Sequence, residues 1–132
     1  MNIEILILLM AFQAKHLIAD YYLQFPYMYL NKGKENGWTE PLADHAGVHA
    51  FFTTIIVIVF LVLHRNNYSM AEAVIMLMVT ISFDFLTHFF TDRWKAIKKD
   101  TPDTTEFWYS LGIDQMIHHV VGIIIVFWIT QG

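Results

Sequence analysis

Apolar runs and polar clusters alternate along this chain, and together they predict four helices. Ile3 to Phe12 is apolar except for Glu4, and the same segment then carries Lys15, His16, Asp20 and Gln24 before Pro26. A proline cannot continue a helix without losing a hydrogen bond, so the first helix is expected over about residues 3–24. The second, over about 45–63, opens with His45 and His49 and is hydrocarbon from Phe51 to Leu63 apart from Thr53 and Thr54, with Asp44 as the expected N-cap. Ser69 followed by Glu72 forms a capping-box pair that starts a third helix over about 70–94. Its first half is apolar, and its second half carries Asp84, His88 and Asp92. The fourth, over about 110–129, opens with Asp114, Gln115, His118 and His119 and then turns apolar. Residues 31–41 and 95–106 read as loops, and 64–69 as a tight turn.

Each segment is long enough to cross a membrane. About 22 residues at ~1.5 Å each span ~33 Å, close to the hydrocarbon thickness of a bilayer. The composition agrees: 132 residues, 56% hydrophobic and 15% charged, is too apolar for an ordinary soluble domain. Short connections make consecutive helices antiparallel, so the expected fold is all-α, a single integral membrane four-helix up-down-up-down bundle over residues 1–132. The start of the chain lacks a basic leader and a small-residue cleavage site, so no cleavable signal peptide is expected.

That topology gathers the polar ends. The first and third helices are polar last, and the second and fourth are polar first, so all four polar ends fall in one layer. The two hairpins are weakly alike, an incipient internal repeat. Within each helix the spacing is i, i+4, which puts the polar residues on one face. His16 and Asp20, His45 and His49, Asp84, His88 and Asp92, and Asp114 and His118 then point into a common space. Gly122, one turn past His118, is a small residue that lets a neighbouring helix approach closely. Ionisable groups within a membrane cost about 2.5–3.5 kcal/mol each on insertion scales, so a layer of them needs mutual partners, water or a metal.

The charge pattern sets the orientation. Lys15, Lys32, Lys34, Arg93, Lys95, Lys98 and Lys99 lie on the side of the polar layer, and Arg65 alone lies on the other. The positive-inside rule then predicts a multi-pass protein of the inner (plasma) membrane, with the polar layer cytoplasmic and both termini outside. Trp38, Trp94 and Trp108 fit an interfacial belt at the same level. The net charge of −4 and the lack of a basic patch argue against nucleic acid as a partner.

The chemistry of the layer points to a divalent metal. Cysteine is absent, so ligands are limited to imidazole and carboxylate, a set suited to Zn, Mn, Fe or Mg. The candidate ligands are His16, Asp20, His45, His49, Asp84, His88, Asp92, Asp114 and His118, too many for one tetrahedral ion and enough for two. Asp84 and Asp114 are the bridging candidates by depth. Asp92 or Asp20 is the candidate general base. Lys15, Gln24, Arg93 and Gln115 are candidate substrate contacts, although Lys15 lies on a different face and has snorkelling as its plain alternative. His119 reads as supporting or packing, and His64 as a solvated turn residue. No nucleophile elbow and no glycine-rich phosphate loop is present.

Lys15-His-Leu-Ile-Ala-Asp-Tyr-Tyr-Leu-Gln24, His45-x-x-x-His49, Asp84-x-x-x-His88-x-x-x-Asp92 and Asp114-Gln-x-x-His118 together resemble an uncharacterised family of small membrane proteins found in bacteria and their phages. The resemblance covers nearly the whole chain and implies a phage or bacterial membrane protein, with no activity attached. A weaker likeness is to the bacterial membrane-bound metal-dependent hydrolases. Their His-rich signature differs in spacing from His45-Ala-Gly-Val-His49, and its Arg and Ser are missing here, so hydrolysis enters only by analogy.

The expected function is a membrane-embedded metallohydrolase with a mono- or dinuclear site, acting on a lipid or lipid-linked phosphoester, pyrophosphate or other amphipathic substrate. The alternatives are a metal or proton transporter or channel, which a homo-oligomer would suit, and a phage accessory protein with a structural metal. A path across the membrane would need polar residues along Phe51–Leu63 and Val120–Ile129, which are nearly all apolar.

Overall fold

The computed structural model describes residues 3–131. Helix α1 spans Ile3–Leu17 and runs directly into a π-helical turn, Ile18–Tyr22. Helix α2, Pro26–Asn31, is a single short turn-and-a-half, and the long helices α3 (Thr39–Leu63), α4 (Met70–Lys98) and α5 (Thr105–Gln131) follow. The described residues contain no strand. Three helices, α3, α4 and α5, are each long and apolar enough to cross a membrane.

Several boundaries differ from the sequence expectation, each for a local reason. The first helix stops at Tyr22 rather than Gln24 because its last turn widens: the Leu23 amide donates to the Ile18 carbonyl at 3.0 Å, an i+5 bond. Pro26 does not merely end that helix. It sits at the first position of α2, where its missing N–H costs nothing. Helix α3 begins at Thr39, not His45, because Pro41 falls within the first turn, whose amides need no helical partner. Asp44 is therefore not an N-cap; it lies inside α3 and accepts a hydrogen bond from the Tyr27 hydroxyl of α2. Helix α4 continues to Lys98 and ends on Lys99 in the left-handed region, φ 56°. Helix α5 begins at Thr105, and the Phe107 amide donates to the Thr104 hydroxyl at 3.3 Å. The capping box at the start of α4 is present: Ser69 and Glu72 exchange side-chain and backbone bonds.

The packing places α1 against α3 and α5, and α4 against α3 and α5. The cross-helix contacts run in opposite directions along neighbours. Glu4 meets His64 at 3.0 Å while Asp20 meets His49 at 3.0 Å, so α1 and α3 are antiparallel. Phe12 lies against Gly122 and His16 against Gln115, so α1 and α5 are antiparallel too. A Cβ on Gly122 would sit 3.3 Å from the Phe12 Cβ, which is the close approach that glycine permits.

The interior has two tiers. One is apolar: Leu8, Phe12, Phe60, Met76, Val121, Ile125, Val126 and Ile129. The other is polar and holds buried His and Asp side chains from α1, α3, α4 and α5. The outer surface is the reverse, with Ile7, Met10, Val62, Met78 and Phe127 among many exposed large apolar residues. Polar inside and apolar outside is the distribution expected where the surrounding medium is hydrocarbon.

Candidate metal centre

The i, i+4 stripes converge as their spacing requires. His45, His49, Asp84, His88, Asp92, Asp114 and His118 are buried, as is His16, while Asp20 is partly exposed at 16%. The imidazole rings meet at the centre. His49 stacks on His88 with centroids 3.7 Å apart, His88 stacks on His118 at 4.0 Å, and His16 lies 5.5 Å from His49 and 5.3 Å from His118.

Three sets of ligand atoms lie close enough to share an ion. They are His16 with His49 and His88; Asp20 with His45 and His49; and Asp92 with Asp114 and His118. Within each set the atoms lie within 4.8 Å of one another. His49 belongs to two sets, and His45 links the second to the third, its Nε2 3.3 Å from Asp20 and 3.2 Å from Asp92. The π-turn is what carries Asp20 into this position, one helical turn beyond His16.

The state of His88 follows from its partner. Its Nδ1 lies 2.9 Å from the Asp84 carbonyl, which can only accept, so Nδ1 carries the proton. Nε2 is then a bare lone pair, and it is buried without a protein hydrogen bond. A backbone carbonyl holding one nitrogen while the other faces a cluster of ligands is the usual way proteins orient a metal-binding imidazole. Asp92 Oδ2 and Asp114 Oδ1 are also buried without a hydrogen bond.

Three lysines complete the layer; none lies on an i, i+4 stripe, and only Lys15 is among the candidate substrate contacts. Lys15 is buried, with its ammonium 2.6 Å from both oxygens of Asp84, and the Thr53 hydroxyl donates to the same carboxylate at 2.9 Å. Lys15 does not snorkel. The inward face of α1 is broad enough to take both Lys15 and His16, which flank the line through Leu8, Phe12 and Ala19. Lys32 donates to Asp92 at 2.9 Å, and Lys95 to Asp114 at 2.8 Å. The signal for these two pairs was present only as basic residues near the layer's rim. Their partners are 60 and 19 residues away, beyond what helical spacing reports.

Asp84, occupied by Lys15 and Thr53, lies outside all three ligand sets. Gln115 sits between them, its Oε1 2.9 Å from His16 Nε2 and its amide donating to Asp114 at 3.2 Å. Gln24 is beyond the end of the first helix and half-buried, off the stripe that carries His16. Arg93 points at the loop rather than into the layer. Its guanidinium donates to the Lys32 and Lys34 carbonyls at 2.7 and 3.0 Å and lies over the Trp38 ring. His119 packs edge-on against His16 at 5.1 Å. His64, at the far end, is not a free turn residue: it pairs with Glu4 and bonds the Phe60 carbonyl.

The family model described as "Protein of unknown function (DUF3307)" matches residues 5–132, a span that includes all four stripes. The chain belongs to this family. No curated protein and no solved structure matches it. Family membership therefore carries no activity. Imidazole and carboxylate ligands, the tautomer of His88 fixed by a backbone carbonyl and its buried lone pair fit a hard or borderline divalent ion.

Proposed function

We propose that the chain is a four-span, up-down-up-down membrane protein that holds divalent metal in this layer and hydrolyses a lipid or lipid-linked phosphoester or pyrophosphate. The observation that carries the metal is the buried, donor-free Nε2 of His88, set among the other two imidazoles of its ligand group. Leaving such a lone pair buried and unsatisfied costs about 1–3 kcal/mol, and a bound cation removes that cost. The π-turn extends α1 by five residues, giving the first span its length beside the three long helices.

In this reading His16, His45, His49, His88, His118, Asp20, Asp92 and Asp114 supply the ligands for one or two ions such as Zn²⁺, Mn²⁺, Fe²⁺ or Mg²⁺. When bound, the metal would lower the pKa of a coordinated water and polarise a phosphoryl oxygen. Asp20 would then accept the water's proton. Its 16% exposure against 5% for Asp92 makes it the better-placed base, and the leaving alkoxide or phosphate would be protonated from solvent. The lysine-rich rim and the belt of Trp38, Trp94 and Trp108 support a layer at headgroup depth on the cytoplasmic side of a bacterial inner membrane.

Support for hydrolysis over transport comes from the apolar tier. It closes the far end of the interior, and among the described residues no buried polar side chain lies beyond Thr53 and Thr80. Metal analysis of the purified protein, with His88→Ala and Asp92→Asn alongside, is the first test. Stoichiometric metal in the wild type and its loss in both variants is expected. Metal at trace level in the wild type would refute the reading. A screen of lipid phosphates and pyrophosphates then tests hydrolysis, and metal flux into liposomes without turnover would replace it with transport.

A further inference from the structure

The layer's charges do not balance once metal enters, and the imbalance names a second ligand. Four buried or nearly buried carboxylates, Asp20, Asp84, Asp92 and Asp114, face three ammoniums, Lys15, Lys32 and Lys95. With neutral imidazoles this leaves one negative charge. One divalent ion turns it into one positive charge, and two ions turn it into three. Arg93, at the rim, only adds to the excess. An uncompensated charge in a site walled by hydrocarbon is expensive, whichever sign it has.

The position of the excess is specific. Asp92 and Asp114 share one ligand set, so their oxygens lie within 4.8 Å of one another, and each also carries a lysine. Lys32 comes from the loop after α2 and Lys95 from the last turns of α4, so two ammoniums converge on one carboxylate pair from different elements. Their side chains are 12% and 21% exposed, against 5% and 2% for Asp92 and Asp114, which puts the ammoniums on the side from which a ligand enters. The loop is held for this purpose. Gly33 lies so close to α4 that a Cβ would sit 2.7 Å from the Ala96 carbonyl oxygen, and Arg93 clamps the carbonyls on either side of Gly33.

We propose, building on the metal reading above, that Lys32 and Lys95 form an anion subsite for an ionised phosphoryl group, and that metal and anion bind cooperatively. As ions engage Asp92 and Asp114, the two ammoniums lose their counter-charge and turn to the incoming ligand. A phosphoryl group suits the arrangement because its three oxygens can meet both ammoniums and the metal together, whereas a carboxylate has only two. The coupling is reciprocal: whatever factor the anion adds to metal affinity, the metal adds to anion affinity.

The test uses the whole protein in phosphatidylcholine nanodiscs, titrated with Mn²⁺ with and without millimolar inorganic phosphate, solution complexes being subtracted. Phosphate should tighten Mn²⁺ about tenfold or more, a factor within the usual range of coupling between sites. Lys32→Met with Lys95→Met should bring the factor close to one while improving metal affinity without phosphate. The Lys32→Arg with Lys95→Arg pair and the rim control Lys34→Met should keep the coupling. A second arm omits inorganic phosphate and adds phosphatidic acid to the discs, with blank discs of each composition correcting for surface accumulation. Tightening there identifies a lipid headgroup as the source, and tightening by inorganic phosphate alone identifies a soluble one. Mn²⁺ binding that neither phosphate source alters would overturn the subsite and leave the metal reading standing. Absence of Mn²⁺ binding under every condition would sink both.

Discussion

The ion pair between Lys15 and Asp84 can be removed one half at a time. The ammonium touches both carboxylate oxygens at 2.6 Å, and the side chains are 3% and 1% exposed. Removing one member of so buried a pair strands the other charge, and such changes cost about 3–5 kcal/mol. Lys15→Met leaves Asp84 with the Thr53 hydroxyl at 2.9 Å and the His88 Nδ1 at 3.5 Å, and Asp84→Asn leaves the ammonium without its partner carboxylate. Each should destabilise by about that amount. The double variant removes both charges and should return to within ~1–2 kcal/mol of the wild type, because replacing a whole buried pair by uncharged groups is often close to neutral. Unfolding in mixed micelles by SDS titration, read by tryptophan fluorescence, gives the double-mutant cycle. Because Asp84 belongs to none of the three ligand sets, the double variant should also keep its metal. Single variants as stable as the wild type, or a double variant as damaged as the sum of the singles, would refute the pairing. Metal lost from a folded double variant would restore Asp84 as a ligand.

Other expectations are more local. Gly122→Ile drives a branched side chain into Phe12, whose Cβ is already 3.3 Å from an ideal Cβ at that position, and should cost about 1–3 kcal/mol in the same titration. Gly33→Ala must push the loop away from the Ala96 carbonyl; Lys32 should then leave Asp92, and trypsin should cut after Lys32 faster than in the wild type. Lacking cysteine, the chain is ready for labelling: Lys34→Cys should react with an impermeant maleimide only when the cytoplasmic side is open, and Asn66→Cys only from the outside. The opposite pattern would reverse the proposed orientation.

The convergence of the stripes was legible because polar residues are conspicuous in apolar helices, and because i, i+4 spacing leaves little freedom over where they point. The capping box at Ser69 and the close approach at Gly122 were legible for similar reasons, each being a local pattern with one physical use. What helical spacing does not contain is reach. Lys15 reads as facing away because a wheel records direction from the axis, while a four-carbon stem decides where the charge ends up. Lys32 and Lys95 were visible as basic residues, but their carboxylate partners depend on how a loop and a helix end fold back. The π-turn is a shift of hydrogen bonding by one residue, and the run Ile18–Tyr22 has no composition that marks it. Asp44 misled for another reason: it has the chemistry of a cap, but Pro41 allows the helix to begin earlier.

The Lys15–Asp84 contact also bears on how the protein is made. The two residues are 69 positions apart, and at ~5–20 residues per second the ribosome needs several seconds to travel between them. If the first helix enters the membrane ahead of the rest, its Lys15 ammonium lacks the Asp84 carboxylate throughout that interval, which weighs against its staying in hydrocarbon. On the proposed four-span reading, membrane integration of the first helix would stay reversible until α4 arrives. A chain truncated before Asp84 should then be drawn back out or degraded, and on that reading the contact that stabilises the finished molecule would act during synthesis as a check that α4 has been delivered.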